Sequence, residues 1–263
     1  MTPELSPIDT AKFVAAKTAA GFVQSGMRVG LGTGSTAAWL VRCLGEMVQD
    51  HGLKIQAVPT SSRTAQLAQD VGIEVTTLDQ VGWLDLTIDG TDEFDPEFNL
   101  IKGGGGAHLQ EKIVAMASDQ MIVIADISKE VQTLGAFHLP VEVIPFGMKT
   151  TQKLVEETLI SMDVLGRGTA FRQADSGLFV TDEGNHILDL NLGRIGNAYQ
   201  LSLALNQLPG VVDNGLFLDI CDKVIIGYGD GRVDVRDAKT GETSGNRIDL
   251  AEKTNVFTDM AED

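Results

Sequence analysis

MRVGLGTGSTAAWLVRCLGE, residues 27–46, carries three signals in one short span. Met27–Leu31 is a short apolar strand, Gly32-Thr33-Gly34-Ser35-Thr36 is a glycine-rich turn, and an apolar-periodic stretch to about Glu46 is a helix. Strand, tight turn and helix in that order form the unit of an α/β fold, and the pattern continues on both sides. A helix capped at Asp9 or Thr10 covers Thr10–Gln24. Lys54–Val58 is a second strand, followed by the turn Pro59-Thr60-Ser61-Ser62 and a helix to about Asp70. Short strands at Glu74–Thr77 and Asp85–Asp89, a helix over Ala107–Ala117 and a β-branched strand at Met121–Ala125 complete the alternation. The expectation is a doubly wound, Rossmann-like parallel sheet.

The pattern changes near His138. Pro140–Pro145 is a proline-bounded strand and Thr151–Ser161 a helix. Strands follow at Ala170–Gln173, Leu178–Thr181 and His186–Leu190, with turns at Asp175-Ser176-Gly177 and Asp182-Glu183-Gly184-Asn185, then a helix at Asn197–Asn206. This reads as a smaller α+β, ferredoxin-like lid domain. Val211–Phe217 and Val224–Gly227 are expected to return to the first sheet. The domains expected are 1–137 plus 208–231, 138–207, and an acidic tail at 232–263, a hairpin followed by a frayed end.

The 263 residues carry 37 acidic and 20 basic side chains, a formal net charge of -17. Such a field repels nucleic acid and anionic membranes, so neither is expected as a partner. A small anion is still admissible if its donors are concentrated locally. The N-terminal stretch lacks a basic segment followed by a long apolar core, and no apolar run approaches the roughly 18–20 residues of a membrane span. Cys43 and Cys221 stand far apart without metal-type spacing and read as buried, reduced thiols of a cytoplasmic protein.

Two segments carry chemistry. In Gly32–Thr36, glycines let the backbone approach a ligand, the helix start offers unpaired N–H groups, and Ser35 and Thr36 add hydroxyls. Serine at position 35 breaks the G-x-G-x-x-G spacing of a dinucleotide site, and no Gly-Lys-Ser/Thr of a Walker loop is present. A monophosphate cradle is the reading adopted over an ordinary capped turn. The second segment is LTIDGTDEFDPEFNLIKGGGGAHLQEKI, residues 86–113. Asp89 and Asp92 sit at a strand's carboxyl end, where open α/β sheets bind ligands. Lys102 precedes Gly103, Gly104, Gly105 and Gly106, and Glu111 lies one turn into the next helix, its side chain leaning back over the glycines. A carboxylate base, a cation and backbone donors are the parts of an enolisation α to a carbonyl. Glu93, Asp95 and Glu97 are read as a solvated acidic run. His51, His108, His138 and His186 show no ligand spacing, so no metal is expected, and only His108 lies near enough to the glycines to touch substrate. Trp39 and Trp83 are read as packing rather than stacking residues, and Met116 and Met121 as core.

The motifs together resemble the type A ribose-5-phosphate isomerase family. They are Gly30–Thr36, Asp89–Glu93, Lys102–Ile113, Ala125–Lys129 and Leu139–Pro145, in the family's order, and the likeness runs to about residue 229. Thr91 stands where the family usually has alanine, and His108 and Gln110 replace commoner residues. The resemblance implies a cofactor-free aldose–ketose isomerase acting on a sugar phosphate, assembled as a homodimer or tetramer. By the same resemblance Glu111 is the proton-shuttling base, Asp89 assists ring opening, Lys102 stabilises an enediolate and Asp92 places substrate hydroxyls. Lys12, Gly32, Thr33, Gly34, Ser35, Thr36, Gly103–Gly106 and Lys129 would contact substrate or its phosphate. A sugar-phosphate-sensing module and a CoA transferase, both of related fold, are the rival readings.

Overall fold

The structure, a computed structural model, describes residues 5–175 and 177–248. Its chain forms two compact units. One comprises the N-terminal part to Gly90, Ile113–Ser128 and the chain from Cys221; the other comprises Thr91–Lys112 and Lys129–Ile220. The expected boundaries at 137/138 and 207/208 both fall inside the second unit.

The first unit is built on an eight-stranded sheet. In spatial order its strands are Thr243–Arg247, Arg232–Asp237, Lys223–Gly227, Met121–Asp126, Leu86–Gly90, Arg28–Leu31, Gln56–Pro59 and Glu74–Val75. All neighbours from Lys223–Gly227 onward pair in parallel, and the first two strands join antiparallel. Met121–Asp126 is buried along its whole length, which is why it is an unbroken apolar run rather than an alternating one. The period of two is visible in which side chains meet. Val29 and Leu31, Leu86 and Ile88, and Ile122 and Ile124 join Phe13, Ala16, Trp39 and Leu40 in one core. Val58 packs instead with Leu84 and Val114. Each such fully buried Leu, Ile or Val contributes about 1.5–3 kcal/mol, so this alternation fixes the strand register.

The opening helix is Pro7–Ala20, earlier than the expected Thr10–Gln24. Ser6 is its cap, accepting from the Asp9 amide, and Pro7 occupies the first turn, where its missing N–H costs nothing. Lys12 therefore lies in the second turn. The stretch expected as a peripheral tail supplies two strands, Arg232–Asp237 and Thr243–Arg247, that extend the main sheet. The expected frayed end beyond residue 248 lies outside the described residues, as does Ser176 of the expected 175–177 turn.

In the second unit, strand Leu139–Val143, helix Met148–Leu159, strands Gly168–Phe171 and His186–Asn191, helix Ala198–Asn206 and strand Val211–Asn214 follow in a βαββαβ order. The four strands lie side by side as last, first, third and second, all antiparallel. Leu139, Val141, Leu188, Leu190, Val155 and Leu201 meet in its core. Val211–Asn214 thus belongs to this sheet and not to the first, against expectation. Gly215 explains the diversion: its amide bonds the Pro140 carbonyl and its carbonyl accepts from the Lys102 amide, both at close range. Leu216–Phe217 then pairs with Leu100–Ile101 in a small sheet that also holds Glu93–Phe94. Lys223–Gly227 does return to the main sheet, beside Met121–Asp126.

Candidate active site

In the first unit, strand Arg28–Leu31 runs into Gly32, whose amide bonds the Ile88 carbonyl. A side chain at Gly32 would collide with the Asp89 carboxylate and backbone, so only glycine lets the two strand ends lie this close. Asp89 is fully buried and accepts from the amides of Thr33 at 3.2 Å and Gly90 at 2.6 Å. The helix Ser35–His51 starts from Gly34 with no side chain capping it. An uncapped helix start is the setting in which helix amides bind anions. Gly34 and Ser35 are exposed and Thr36 is half-buried. Thr33, expected at a substrate-contacting position, also has protein partners for its hydroxyl. Its Oγ1 lies in a hydroxyl cluster with Thr60 and Ser61, each at 2.8 Å, and Thr64 at 3.2 Å. That cluster ties the loop to the cap of helix Ser62–Asp70. The sequence signal for it is the Thr-Ser-Ser-Arg-Thr run, which reads as a turn but contains the cap, Ser61.

In the second unit, the small sheet delivers Lys102 into the interior. Its Nζ lies 3.2 Å from Glu111 Oε2, with 2% and 5% of the two side chains exposed. Glu111 projects from the first turn of helix His108–Met116, where a carboxylate is favoured by the helix dipole. Phe217 has two cations over its ring, Lys102 at 5.4 Å and Lys112 at 5.0 Å from the centroid. Lys112 in turn bonds Asp213 at 3.0 Å and the Asn214 carbonyl at 2.5 Å. Burial pulls the Lys112 ammonium below its usual range, partly offset by Asp213.

The glycines between Lys102 and Glu111 are packed on several sides. Gly103 has a φ of 105° and lies against the His108 ring. Gly104 donates its amide to Asp92 Oδ2 at 2.7 Å. Gly106, with a φ of 79°, faces the Phe179 ring. Gly104 and Gly105 are exposed. The loop is thus a held backbone rather than a flexible link. His108 is fully buried and burial pushes its imidazole down to about 4, with the Lys112 charge adding to the effect. A neutral ring beneath Gly103 is the result. Lys129 ends the short helical turn Ile127–Lys129, half-buried. Among the described residues no cluster of three His, Cys, Asp or Glu side chains could hold a metal ion, and no helix is long and apolar enough to cross a membrane.

The family model for ribose 5-phosphate isomerase A (phosphoriboisomerase A) matches residues 56–231. The chain belongs to the ribose-5-phosphate isomerase A family. It is 70% identical over 262 residues to ribose-5-phosphate isomerase A of Ruegeria pomeroyi, with all of both chains covered. The Roseobacter denitrificans relative is 65% identical over 262 residues, again end to end. Among solved structures, the enzyme from Methanocaldococcus jannaschii aligns with a TM-score of 0.77 at 36% identity, covering 90% of this chain and 98% of that one. That from Plasmodium falciparum gives 0.80 at 33%, covering 91% and 99%. The full-length matches extend through the last residues, beyond the point near 229 where the motif likeness was expected to stop.

Several single-residue expectations need correction within this family frame. Glu93 is buried, not solvated: its carboxylate accepts from the Gly135 amide at 2.7 Å and from the Phe137 amide. It pins the 133–137 segment and has no catalytic geometry. Asp95 closes a local turn through the Glu97 and Asn99 amides, while Glu97 is exposed as expected. Met116 is 60% exposed and Trp83 is 46% exposed with its indole N–H on Asp119, so neither is core; Trp39 and Met121 are. Thr91, the departure from the family's alanine, spends its hydroxyl on the carbonyls of Glu93 and Ile101 and supports the turn between Asp89 and Asp92. Cys43 and Cys221 are free and buried, the Cys43 thiol pushed up to about 12 by desolvation.

Proposed function

We propose that the chain carries out its family's reaction by enolisation, with Glu111 as the base. The reaction is that of ribose-5-phosphate isomerase A, the interconversion of D-ribose 5-phosphate and D-ribulose 5-phosphate in the pentose phosphate pathway. The single observation that carries the mechanism is the buried Lys102–Glu111 pair beside a glycine loop exposed at Gly104 and Gly105. From the open-chain aldose, Glu111 removes the C2 proton and the electron pair moves to the C1 oxygen. The same carboxyl returns the proton to C1, while a proton passes from the C2 to the C1 oxygen. Lys102 and the remaining amides of the Gly103–Gly106 loop would hold the developing enediolate charge, the Gly104 amide being on Asp92 and the Gly106 amide on the Gly103 carbonyl. Asp89 would open the sugar ring and move protons among oxygens, and Asp92 would place hydroxyls. Gly32, Gly34, Ser35 and Thr36 would take the phosphate on the open helix start, with Lys12 and Lys129 supplying charge and Thr33 bracing the loop.

The finer fold reading belongs to the same proposal: a doubly wound, Rossmann-like sheet and a ferredoxin-like second unit, the latter supported by the βαββαβ strand order. So do a homodimer or tetramer, a cytoplasmic location and independence of metal. A coupled assay for ketose formation from ribose 5-phosphate tests the whole. Turnover should be undiminished after exhaustive chelation; loss on chelation with recovery on adding a divalent ion would put a metal in the electrophilic role proposed for Lys102.

Phosphate binding offers a separate check. Energy from a remote phosphate serves to orient the reacting carbons. Lys12→Ala should therefore raise KM for ribose 5-phosphate and leave any weak activity on free ribose unchanged. An equal loss on both substrates would remove Lys12 from phosphate binding.

A further inference from the structure

Arg172 follows strand Gly168–Phe171, far in sequence from every motif described above. Its Nη1 donates to the carbonyls of both Gly103 and Gly104, each at 2.9 Å. The same guanidinium is anchored by Asp189, through Nε at 3.0 Å and Nη2 at 2.5 Å. His138 Nε2 lies 3.3 Å from Nη2 and 3.4 Å from Asp189 Oδ1, closing the set. Arg172 also stacks over Phe179, at 5.8 Å from its centroid, and Phe179 is the ring packed on Gly106. One side chain thus bonds the start of the glycine loop and touches the ring that packs on its end, and 13% of it is exposed.

The peptide group converts that contact into an orientation. In a planar trans peptide the C=O and the following N–H point in opposite directions. Fixing the Gly103 carbonyl on Arg172 sends the Gly104 N–H the other way, and that amide is the one on Asp92 Oδ2 at 2.7 Å. Fixing the Gly104 carbonyl does the same for the Gly105 N–H. Glycine resists neither orientation by itself, since it lacks the steric preference that would select one. The Gly103 carbonyl also accepts from the Gly106 amide at 2.9 Å, so without Arg172 the Gly104–Gly105 plane has the least left to hold it, and the Gly104 carbonyl could turn where a donor is needed.

We propose that Arg172, held by Asp189, is a positioning residue for the isomerisation: it sets the Gly103–Gly104 and Gly104–Gly105 peptide planes so that their amides serve Asp92 and the sugar oxygen. This rests on the reading that the glycine amides face the reacting oxygens. Lysine is a poor substitute, because a point charge cannot bridge two carbonyls and a carboxylate with a planar fork.

The test compares wild type with Arg172→Lys, Arg172→Gln and, should either fail to fold by circular dichroism, Asp189→Asn. Deuterium exchange of the fragment spanning 103–107 should be faster in the variants and unchanged in fragments from the main sheet. In the same variants kcat should fall about 10–10²-fold, the scale of a roughly 1 Å misplacement, with KM moving far less. Unaltered exchange at 103–107 would overturn the proposal, as would a rise in KM with kcat preserved. Glu111→Gln run in parallel separates the two readings. If it is inactive while the Arg172 variants show a loosened loop and full kcat, Arg172 has no place in catalysis although the enolisation stands. If Glu111→Gln is fully active, the enolisation reading itself fails.

Discussion

Glu111→Gln should lose about 10²–10⁴-fold in kcat, the usual span for removing a general base, and keep substrate binding. The amide has nearly the carboxylate's shape, so helix His108–Met116 and the packing around Lys102 have little reason to move. What it cannot do is accept a proton from carbon. The expected signature is therefore a fall in kcat and kcat/KM together, with KM close to wild type. A second measurement separates enolisation from a hydride shift. In heavy water, wild-type turnover should place solvent deuterium on the transferred position in at least part of the product, because the proton rests on an exchangeable carboxyl between C2 and C1. A hydride shift would carry the original hydrogen across with none exchanged. Near-normal kcat in Glu111→Gln would remove this residue from the mechanism.

How legible these features are in the sequence depends on the range over which each is determined. The strand–turn–helix units near Gly32 and Gly103 are local: glycine spacing, β-branched runs and caps act within a few residues, and the structure has strands and helices close to where the sequence puts them. The Lys102–Glu111 pair is also local, because a helix brings position 111 back over its own N-terminus. What the sequence hides is pairing over long separations. Val211–Asn214 has the composition of a strand in either sheet, and only the close packing at Gly215 decides between them. Glu93 looks like one member of an acidic run, yet its partners are amides some 40 residues on. Arg172 sits beside Gln173 in an unremarkable strand end, and nothing local marks it as the guanidinium that reaches the glycines. The Ser6 cap is a local feature too: Ser-Pro is a strong helix-start signal, although the apolar period is clear only further along.

Lys102→Met should be costly twice over, once in stability and once in rate. The Lys102 ammonium and the Glu111 carboxylate are both buried, and removing one partner of such a pair typically costs about 3–5 kcal/mol because the other charge is left uncompensated. Methionine fills much of the same volume, so the loss would be electrostatic rather than a cavity effect. If Lys102 also stabilises the enediolate, kcat should fall by about 10²–10³-fold, the scale of deleting one donor to an oxyanion. The double variant Lys102→Met/Glu111→Gln distinguishes the two losses. With both charges gone, the uncompensated carboxylate is gone too, so the thermal midpoint should recover part of what Lys102→Met alone removes. Activity should not recover, and the added kinetic cost of Lys102→Met in the Glu111→Gln background should be far below its cost in wild type, since the two act as a unit. Additive losses in both stability and rate would mean that the 3.2 Å pair couples neither. Lys102 would then contribute to stability and to rate independently of Glu111, not as one unit with it.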